Sequence, residues 1–196
     1  PEKTRLLLPP AEGISAVTIA CSNIIVRNVT ATHAANDGFN IHGRWTGIRL
    51  ENVRALSNAD EGISAHDDVE MEVDNAEVAW NGSVSGGVAD VDRCVTRYRN
   101  CRVHDNLGAG FFLCGKEHAV TDALIFNQTR DIVSRKETAV RRERVAWYKE
   151  YVYKRSGGAD QKIEVFFPPE WNPSTSKVPG VLLFHGVCEA TLTHDE

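Results

Sequence analysis

The stretch NDGFNIHGR, residues 36–44, decides how this chain folds, because its pattern returns further along the sequence. Related stretches read DEGISAHDD from Asp60, SGGVADVDR from Ser85 and GAGFFLCGK from Gly108. Each contains a glycine that stands 24 residues after the preceding one, at Gly38, Gly62, Gly86 and Gly110. A fixed period in the twenties is typical of units that cannot bury their apolar faces alone and therefore stack on copies of themselves. The first two thirds of the chain is predicted to be a repeat array.

Apolar residues alternate at period two inside each repeat, which predicts short strands joined by turns. An asparagine lies about ten residues before each glycine, at Asn28, Asn52, Asn75 and Asn100. Coils stacked about 4.8 Å apart would let these amides hydrogen-bond along the stack. We expect the glycines to supply a backbone conformation with positive φ at the turns. This pattern resembles the right-handed parallel β-helix repeats of the pectate-lyase-like superfamily over residues 14–126. The expected fold class is all-β, with residues 1–127 forming the β-helix domain.

The remaining residues lack the repeat. Val133, Val140 and Trp147 are spaced by seven among arginines, which predicts an amphipathic linker or capping helix within residues 128–149. Residues 150–196 read as a hairpin, EYVYKR and KIEVFF, followed by the strand VLLF and then His185 and Gly186. This tail resembles the opening strands of an α/β-hydrolase esterase. The GxSxG nucleophile motif of that family is absent, so we interpret the tail as truncated and the chain as a piece of a longer, extracellular or periplasmic parent.

Composition narrows the possible partners. The net charge of −5 argues against a nucleic-acid-binding surface. No apolar run is long enough to cross a membrane. The five cysteines form no CxxC pair, so neither a disulfide framework nor a metal site is predicted from them.

Strand alternation assigns an outward face to the repeats. With Phe39, Ile63 and Phe111 placed in the core, a period of two puts Val88 and Phe112 outside. The same phase predicts two further outward columns of chemically active side chains, which are His42, His66, Asp90 and Cys114, and then Arg44, Asp68, Asp92 and Lys116. Asp37, Asp60 and Glu61 precede the glycines and are expected to form one wall of a groove. The resemblance implies that an extended polysaccharide lies in such a groove.

Two reactions fit these side chains. Hydrolysis of a glycosidic bond needs a carboxylic acid and a carboxylate, for which Asp68, Asp90 and Asp92 are the candidates, with His66 positioning the acid or the sugar. Asp68 and Asp92 lie on adjacent coils, so repulsion should raise the pKa of one of them. Phe112 is expected to pack on a sugar ring, with His42, Asp37 and Glu61 as further substrate-binding residues.

The alternative reaction is β-elimination on a uronate polymer. Arg44, Arg93 or Lys116 would supply a base or a stabilising charge. Calcium held by Asp68, Asp90 and Asp92 would neutralise the substrate carboxylate, because calcium prefers several oxygen ligands. A metal held by His42, His66 and Asp90 fits less well, since three residues in a column do not converge. A noncatalytic binding or structural role, and a fragment of a larger esterase fusion, remain open alternatives.

Overall fold

The structure, a computed structural model, describes residues 4–7, 13–154 and 160–167. It is an all-β solenoid of about six turns, as the period predicts. The strands are, in chain order, β1 (Thr4–Leu7), β2 (Val17–Ile19), β3 (Ile25–Arg27), β4 (Val29–Thr32), β5 (Phe39–Gly43), β6 (Ile48–Leu56), β7 (Ile63–Asp67), β8 (Glu70–Ala79), β9 (Gly86–Asp90), β10 (Val95–Arg99), β11 (Arg102–His104), β12 (Ala109–Leu113), β13 (Glu117–Phe126), β14 (Ile132–Ser134), β15 (Ala139–Lys154) and β16 (Asp160–Phe167). None of the described residues belongs to a helix that is long and apolar enough to cross a membrane.

Two sheets build the solenoid. The six-stranded sheet, here called sheet B, runs in the order β14-β12-β9-β7-β5-β2, and all its pairings are parallel. The other sheet, sheet A, has ten strands and includes β6, β8, β13 and β15. The apolar side chains of both sheets meet inside, where Phe39, Ile63 and Phe111 are completely buried. Burial of these columns is the main source of stability for a stack of units that have no core of their own.

The asparagine column forms a corner of the coil. Asn28, Asn52 and Asn75 have φ values of 58°, 52° and 57°, the left-handed conformation that asparagine tolerates better than most residues. The Asn52 amide donates to Asn28 Oδ1 at 2.5 Å, and the Asn75 amide donates to Asn52 Oδ1 at 3.2 Å. The predicted ladder of amides is therefore confirmed for these three coils, whereas Asn100 donates to Asp74 instead.

The glycine column has a different cause from the one expected. Gly38, Gly62 and Gly110 do not have positive φ, so that prediction is wrong. A Cβ atom at Gly62 would lie 2.5 Å from Val78 Cγ1 and 2.7 Å from Asn81 Nδ2. A second, buried ladder of Asn58, Asn81 and Asn106 packs against the glycines, and its amides bond to one another at 2.8–2.9 Å. Gly38 and Gly62 are needed because the ladder occupies the space of a side chain, whereas a Cβ atom at Gly110 would meet Ile125 Cγ2 and the Asp131 carbonyl oxygen.

The predicted helix within residues 128–149 is wrong. This segment contains β14 and most of β15, which pair in parallel with β12 and β13. Trp147 and Tyr148 are buried, and Val140 and Val145 pack on the core, so the spacing by seven arises from a strand that covers the end of the stack. The solenoid continues for one more turn beyond residue 127.

The predicted hairpin after residue 150 is confirmed, because β15 and β16 pair antiparallel from Trp147↔Phe167 to Lys154↔Asp160. The rest of the hydrolase-like tail, including His185 and Gly186, lies outside the described residues.

Candidate functional site

Strands β5 and β7 place matching polar side chains side by side on the outer surface of sheet B. In their parallel register Asn40 lies beside Ser64, and His42 lies beside His66. The equivalent position is Thr18 on β2, but Ala89 on β9, Phe112 on β12 and Val133 on β14. The side chains that can do chemistry are thus concentrated on two coils and give way to an apolar surface on the coils above. We call this two-coil surface the polar face.

Three acidic residues converge at the beginning of these two strands. One carboxylate oxygen from each of Asp37, Asp60 and Glu61 lies within 4.8 Å of the others, and we call the three the carboxyl cluster. The two residues that matched each other in the repeat, Asp37 and Glu61, are brought together because Gly38 bonds through its N–H to the Glu61 carbonyl. The sequence prediction that acids preceding the glycines form one wall is consistent with this placement.

Burial changes the protonation of the carboxyl cluster. Asp37 is only 3% exposed, and burial raises its pKa despite a hydrogen bond of 2.8 Å from the Asn40 amide. Burial also raises the pKa of Glu61 to about 7, although the Ser83 hydroxyl donates to Glu61 Oε1 at 2.5 Å. Desolvation disfavours the charged form, and a second carboxylate nearby adds to the effect. Glu61 therefore holds a proton close to neutral pH, and Ser83 is a member of the site that sequence reasoning missed.

The other end of the polar face carries the two histidines. His66 Nε2 lies 2.8 Å from the Ser64 hydroxyl, and His42 Nε2 lies 3.1 Å from Asp67 Oδ2. The two imidazole centroids are 5.3 Å apart. Five residues of strand separate His66 from Glu61, a distance of roughly 16 Å. The histidines and the carboxyl cluster can therefore contact different parts of one extended ligand.

Asp68 does not have the raised pKa that was expected of the Asp68–Asp92 pair. Arg93 binds it with two hydrogen bonds, of 2.5 and 2.7 Å, and Arg44 Nε lies 3.4 Å away. The hydrogen bond from Arg93 lowers the pKa of Asp68. Asp92 accepts a hydrogen bond from the Asp67 N–H at 3.1 Å and has φ of 60°, so it shapes the turn between coils. Asp68 is ionised at neutral pH, and its carboxylate is paired with two arginine side chains of the same protein.

The expectation that Asp90 faces outward is wrong. Paired residues on sheet B are Phe39, Ile63, Val88 and Phe111, so the steps between coils are 24, 25 and 23 residues. The longer step turns Asp90 and Val88 into the core, where both are 0% exposed. It also puts Gly87 rather than Gly86 in line with Gly62. The pair of glycines at 86–87 was the one signal in the sequence for this shift.

Asp90 belongs instead to a buried hydrogen-bond chain. The hydroxyls of Thr96 and Tyr98 both donate to Asp90 Oδ2 at 2.7 Å. Thr96 Oγ1 is also 2.7 Å from His118 Nδ1, and the Gly115 N–H donates to His118 Nε2 at 3.0 Å. This last bond fixes the His118 proton on Nδ1, from which it is donated to Thr96. Burial raises the pKa of Asp90 to about 7 and lowers that of His118 to about 4, so both are neutral in a window between these values.

The remaining predicted residues lie around the polar face without closing a site. Phe112 is half-buried and faces outward between Ala89 and Val133, and Lys116 is exposed in the turn after β12. The proposed calcium ligands Asp68, Asp90 and Asp92 are not brought together, because Asp90 lies in the core. Among the described residues, the carboxyl cluster is the group of three that could hold a cation.

Comparison of the chain with known protein families, with curated proteins and with solved structures finds no match.

Proposed function

We propose that this protein is a polysaccharide hydrolase that binds an extended sugar chain along the polar face of sheet B. The observation that carries the proposal is the concentration of carboxyl, amide, hydroxyl and imidazole groups on two adjacent coils, next to the half-buried ring of Phe112 on the outer side of the same sheet. Hydroxyl-rich sugars suit the polar side chains, and the apolar surface offers a place for a ring to pack. A surface that served only to keep the protein in solution would carry polar groups on every coil.

Glu61 is the proposed general acid. Its pKa of about 7 keeps it protonated at the start of the reaction, which an unperturbed glutamic acid would not be. The proton passes to the glycosidic oxygen as the bond between that oxygen and the anomeric carbon breaks. Asp37 is buried beside Glu61, so its role is to hold the proton on the cluster rather than to contact the sugar.

Asp60 is the proposed partner of Glu61. One carboxylate oxygen from each residue of the cluster lies within 4.8 Å of the others, which is shorter than the range of about 6.5–9.5 Å associated with inversion and therefore favours a retaining mechanism. In this arrangement Asp60 attacks the anomeric carbon and forms a glycosyl ester. A water molecule then gives a proton to Glu61 and releases the sugar from Asp60, so the first and second steps return the enzyme to its starting state.

Hydrolysis fits better than elimination, because two of the three basic residues considered for elimination, Arg44 and Arg93, both bind Asp68. The third, Lys116, is exposed in the turn after β12. Asp90 is unavailable for calcium, since it is 0% exposed and faces the core.

Binding without turnover is the second candidate function. It is favoured by the hydrogen bonds that Asp37 receives from the amides of Asn36 and Asn40, at 3.3 and 2.8 Å. With these bonds the carboxyl cluster would stabilise the turn, and the polar face would bind a sugar chain without cleaving it.

Incubation with polygalacturonate and with a neutral β-glucan tests the proposal. We expect new reducing ends, without an increase in ultraviolet absorbance, from the wild type and from Asp68→Asn, a matched change of a carboxylate on the same surface. Glu61→Gln should lower the rate by about a hundredfold or more, as expected for loss of a general acid. Ultraviolet-absorbing products would indicate elimination, retention on polysaccharide gels without turnover would indicate a binding module, and neither activity nor binding would refute the proposal.

A further inference from the structure

The outer surface of sheet A carries a ladder of alternating charges. Residues paired across β6, β8, β10, β13 and β15 at one position of the ladder are, in order, Arg49, Glu72, Arg97, Ala119 and Arg141. Opposite charges on neighbouring strands stabilise a sheet, whereas like charges do not. The alternation predicts an acid where Ala119 stands, so two arginines face each other across a residue that has no charge.

The ladder has a cavity at this place. Ala119 and Thr121 are short side chains among long ones, and they form the floor of a cavity of about 330 Å³ whose walls include Arg97, Arg99 and Arg141. Cavities of about 300 Å³ and above are of the size that holds small ligands in proteins. We call this cavity the arginine gap.

Most of the charges around the arginine gap are already paired. Arg99 Nη2 lies 2.7 Å from Asp74 Oδ2, and Arg144 binds both Asp122 and Glu143. Glu72 lies 3.7 Å from Arg49.

Arg97 and Arg141 are different. Within the part of the chain that the structure describes, neither of these exposed arginines makes an ion pair. Both positive charges therefore border the cavity with no carboxylate oxygen of the described residues within 4.0 Å, although Glu72 stands beside Arg97 on the neighbouring strand. Their backbones are two strand spacings apart, roughly 9.6 Å. Flexible arginine side chains can close that distance, and a guanidinium group binds a carboxylate through two parallel hydrogen bonds.

We propose that Arg97 and Arg141 bind the two carboxylates of a dianionic ligand seated over Ala119. Two unpaired cations match two negative charges, and the hydroxyl of Thr121 on the floor of the cavity adds a neutral hydrogen-bonding group. The site lies on sheet A and does not depend on the carboxyl cluster of sheet B, so it stands or falls independently of the hydrolase proposal.

Titration of the whole protein by NMR or calorimetry tests the site, with succinate as the dicarboxylate probe and acetate as the monocarboxylate. We expect succinate to bind more tightly than acetate, with an affinity that falls as salt is added. Arg97→Gln and Arg141→Gln should each weaken succinate binding about tenfold. The matched change Arg54→Gln removes an arginine of sheet A whose acidic partner, Glu77, does not border the cavity, and it should leave binding unaltered.

A second variant supplies the missing acid. Ala119→Glu should abolish succinate binding and raise the melting temperature by about 1–4 °C, because it completes the ladder of charges. Ala119→Gln fills the same space without charge and should give no such rise. The same titration with an oligogalacturonate shows which kind of molecule bears the two carboxylates. If the oligogalacturonate binds and Ala119→Glu abolishes this binding, the carboxylates belong to a sugar chain, whereas binding of succinate alone would indicate a small free acid. Absence of binding by both, or binding that survives Ala119→Glu, would overturn the proposal.

Discussion

The pH dependence of stability should report two buried groups whose effects oppose each other. Asp90 and His118 lie at the two ends of the hydrogen-bond chain through Thr96. The pKa of Asp90 is raised from 3.8 to about 7 by burial, so the folded state holds a proton that the unfolded state has lost. Its contribution to stability is complete below about pH 4 and is lost as pH rises to about 7. A shift of about three pH units corresponds to about 4 kcal/mol, an upper value since water can relax a buried charge.

His118 has the opposite sign. Burial lowers its pKa from 6.5 to about 4, so the unfolded state gains a proton that the folded state refuses. The contribution of the neutral imidazole to the stability of the protein is complete above about pH 6.5. It is lost as pH falls to about 4, which lowers the free energy of unfolding by about 3 kcal/mol. Between pH 4 and 6.5 the two slopes nearly cancel. The contribution of this pair in the wild type is therefore expected to be almost independent of pH.

Single substitutions should separate the two effects. Asp90→Asn keeps an acceptor for the Thr96 and Tyr98 hydroxyls and removes the titration of the carboxyl group. Relative to the wild type, its free energy of unfolding should rise by about 2 kcal/mol from pH 4.5 to 6.5, because the opposing fall that Asp90 contributes is gone. His118→Gln should show the reverse, a fall of up to about 4 kcal/mol between pH 4 and 7.

Urea unfolding followed by circular dichroism at half-unit steps of pH measures these profiles. The comparison of shapes is decisive, because other groups titrate equally in all three proteins. An Asp90→Asn profile parallel to that of the wild type would mean that Asp90 is charged and solvated in the folded state. The register that turns Asp90 inward would then be wrong.

Three further experiments test the packing. Asn81→Ala should lower the free energy of unfolding by about 3 kcal/mol, since Asn81 bonds to both neighbouring members of the buried ladder and to a carbonyl. Asn52→Gly on the exposed ladder should lower it by less than about 1 kcal/mol, and equal losses in urea unfolding would contradict a special role for the buried ladder. Gly62→Ala should destabilise by more than about 2 kcal/mol or prevent folding, because its Cβ would overlap the ladder, and a melting temperature equal to that of the wild type would refute the close contact. Burial raises the pKa of Cys101 to about 12, so this thiol should resist iodoacetamide at pH 8 while the exposed Cys21 is alkylated. Peptide mapping by mass spectrometry measures the labelling, and equal labelling of the two cysteines would show that the core opens.

The fold could be predicted from the repeat because stacking makes equivalent residues neighbours, and Phe39 and Ile63 are paired in the core as the alternation requires. The assignment of side chains to the inner or outer face failed at the coil where the period changes from 24 to 25 residues, between Ile63 and Val88. A shift of one position exchanges the two faces of a strand, and this is why Val88 and Asp90 were assigned to the wrong side. The helix prediction failed for a related reason, since Val140 and Trp147 are compatible with either a helical or an extended periodicity.

The candidate site was predicted only in part. Asp37 and Glu61 occupy the same position in two repeats, and the stacking of the repeats brings them to neighbouring coils. The engagement of Asp68 by Arg93 depends on the path of a turn, and the pKa of Glu61 depends on burial, neither of which the period contains. Ser83 reaches Glu61 from the following coil, in a loop between Asn81 and Gly87 that is longer than its counterpart between Asn58 and Gly62, so the period does not align it.

A crystal structure of Glu61→Gln grown with an oligosaccharide substrate would show directly where the sugar chain binds. We expect a sugar chain that follows the outer surface of sheet B across Asn40 and His66, with a glycosidic oxygen about 3 Å from the amide at position 61. A sugar chain bound on sheet A, or one that crosses sheet B with no glycosidic oxygen near Asp60 and position 61, would contradict this expectation.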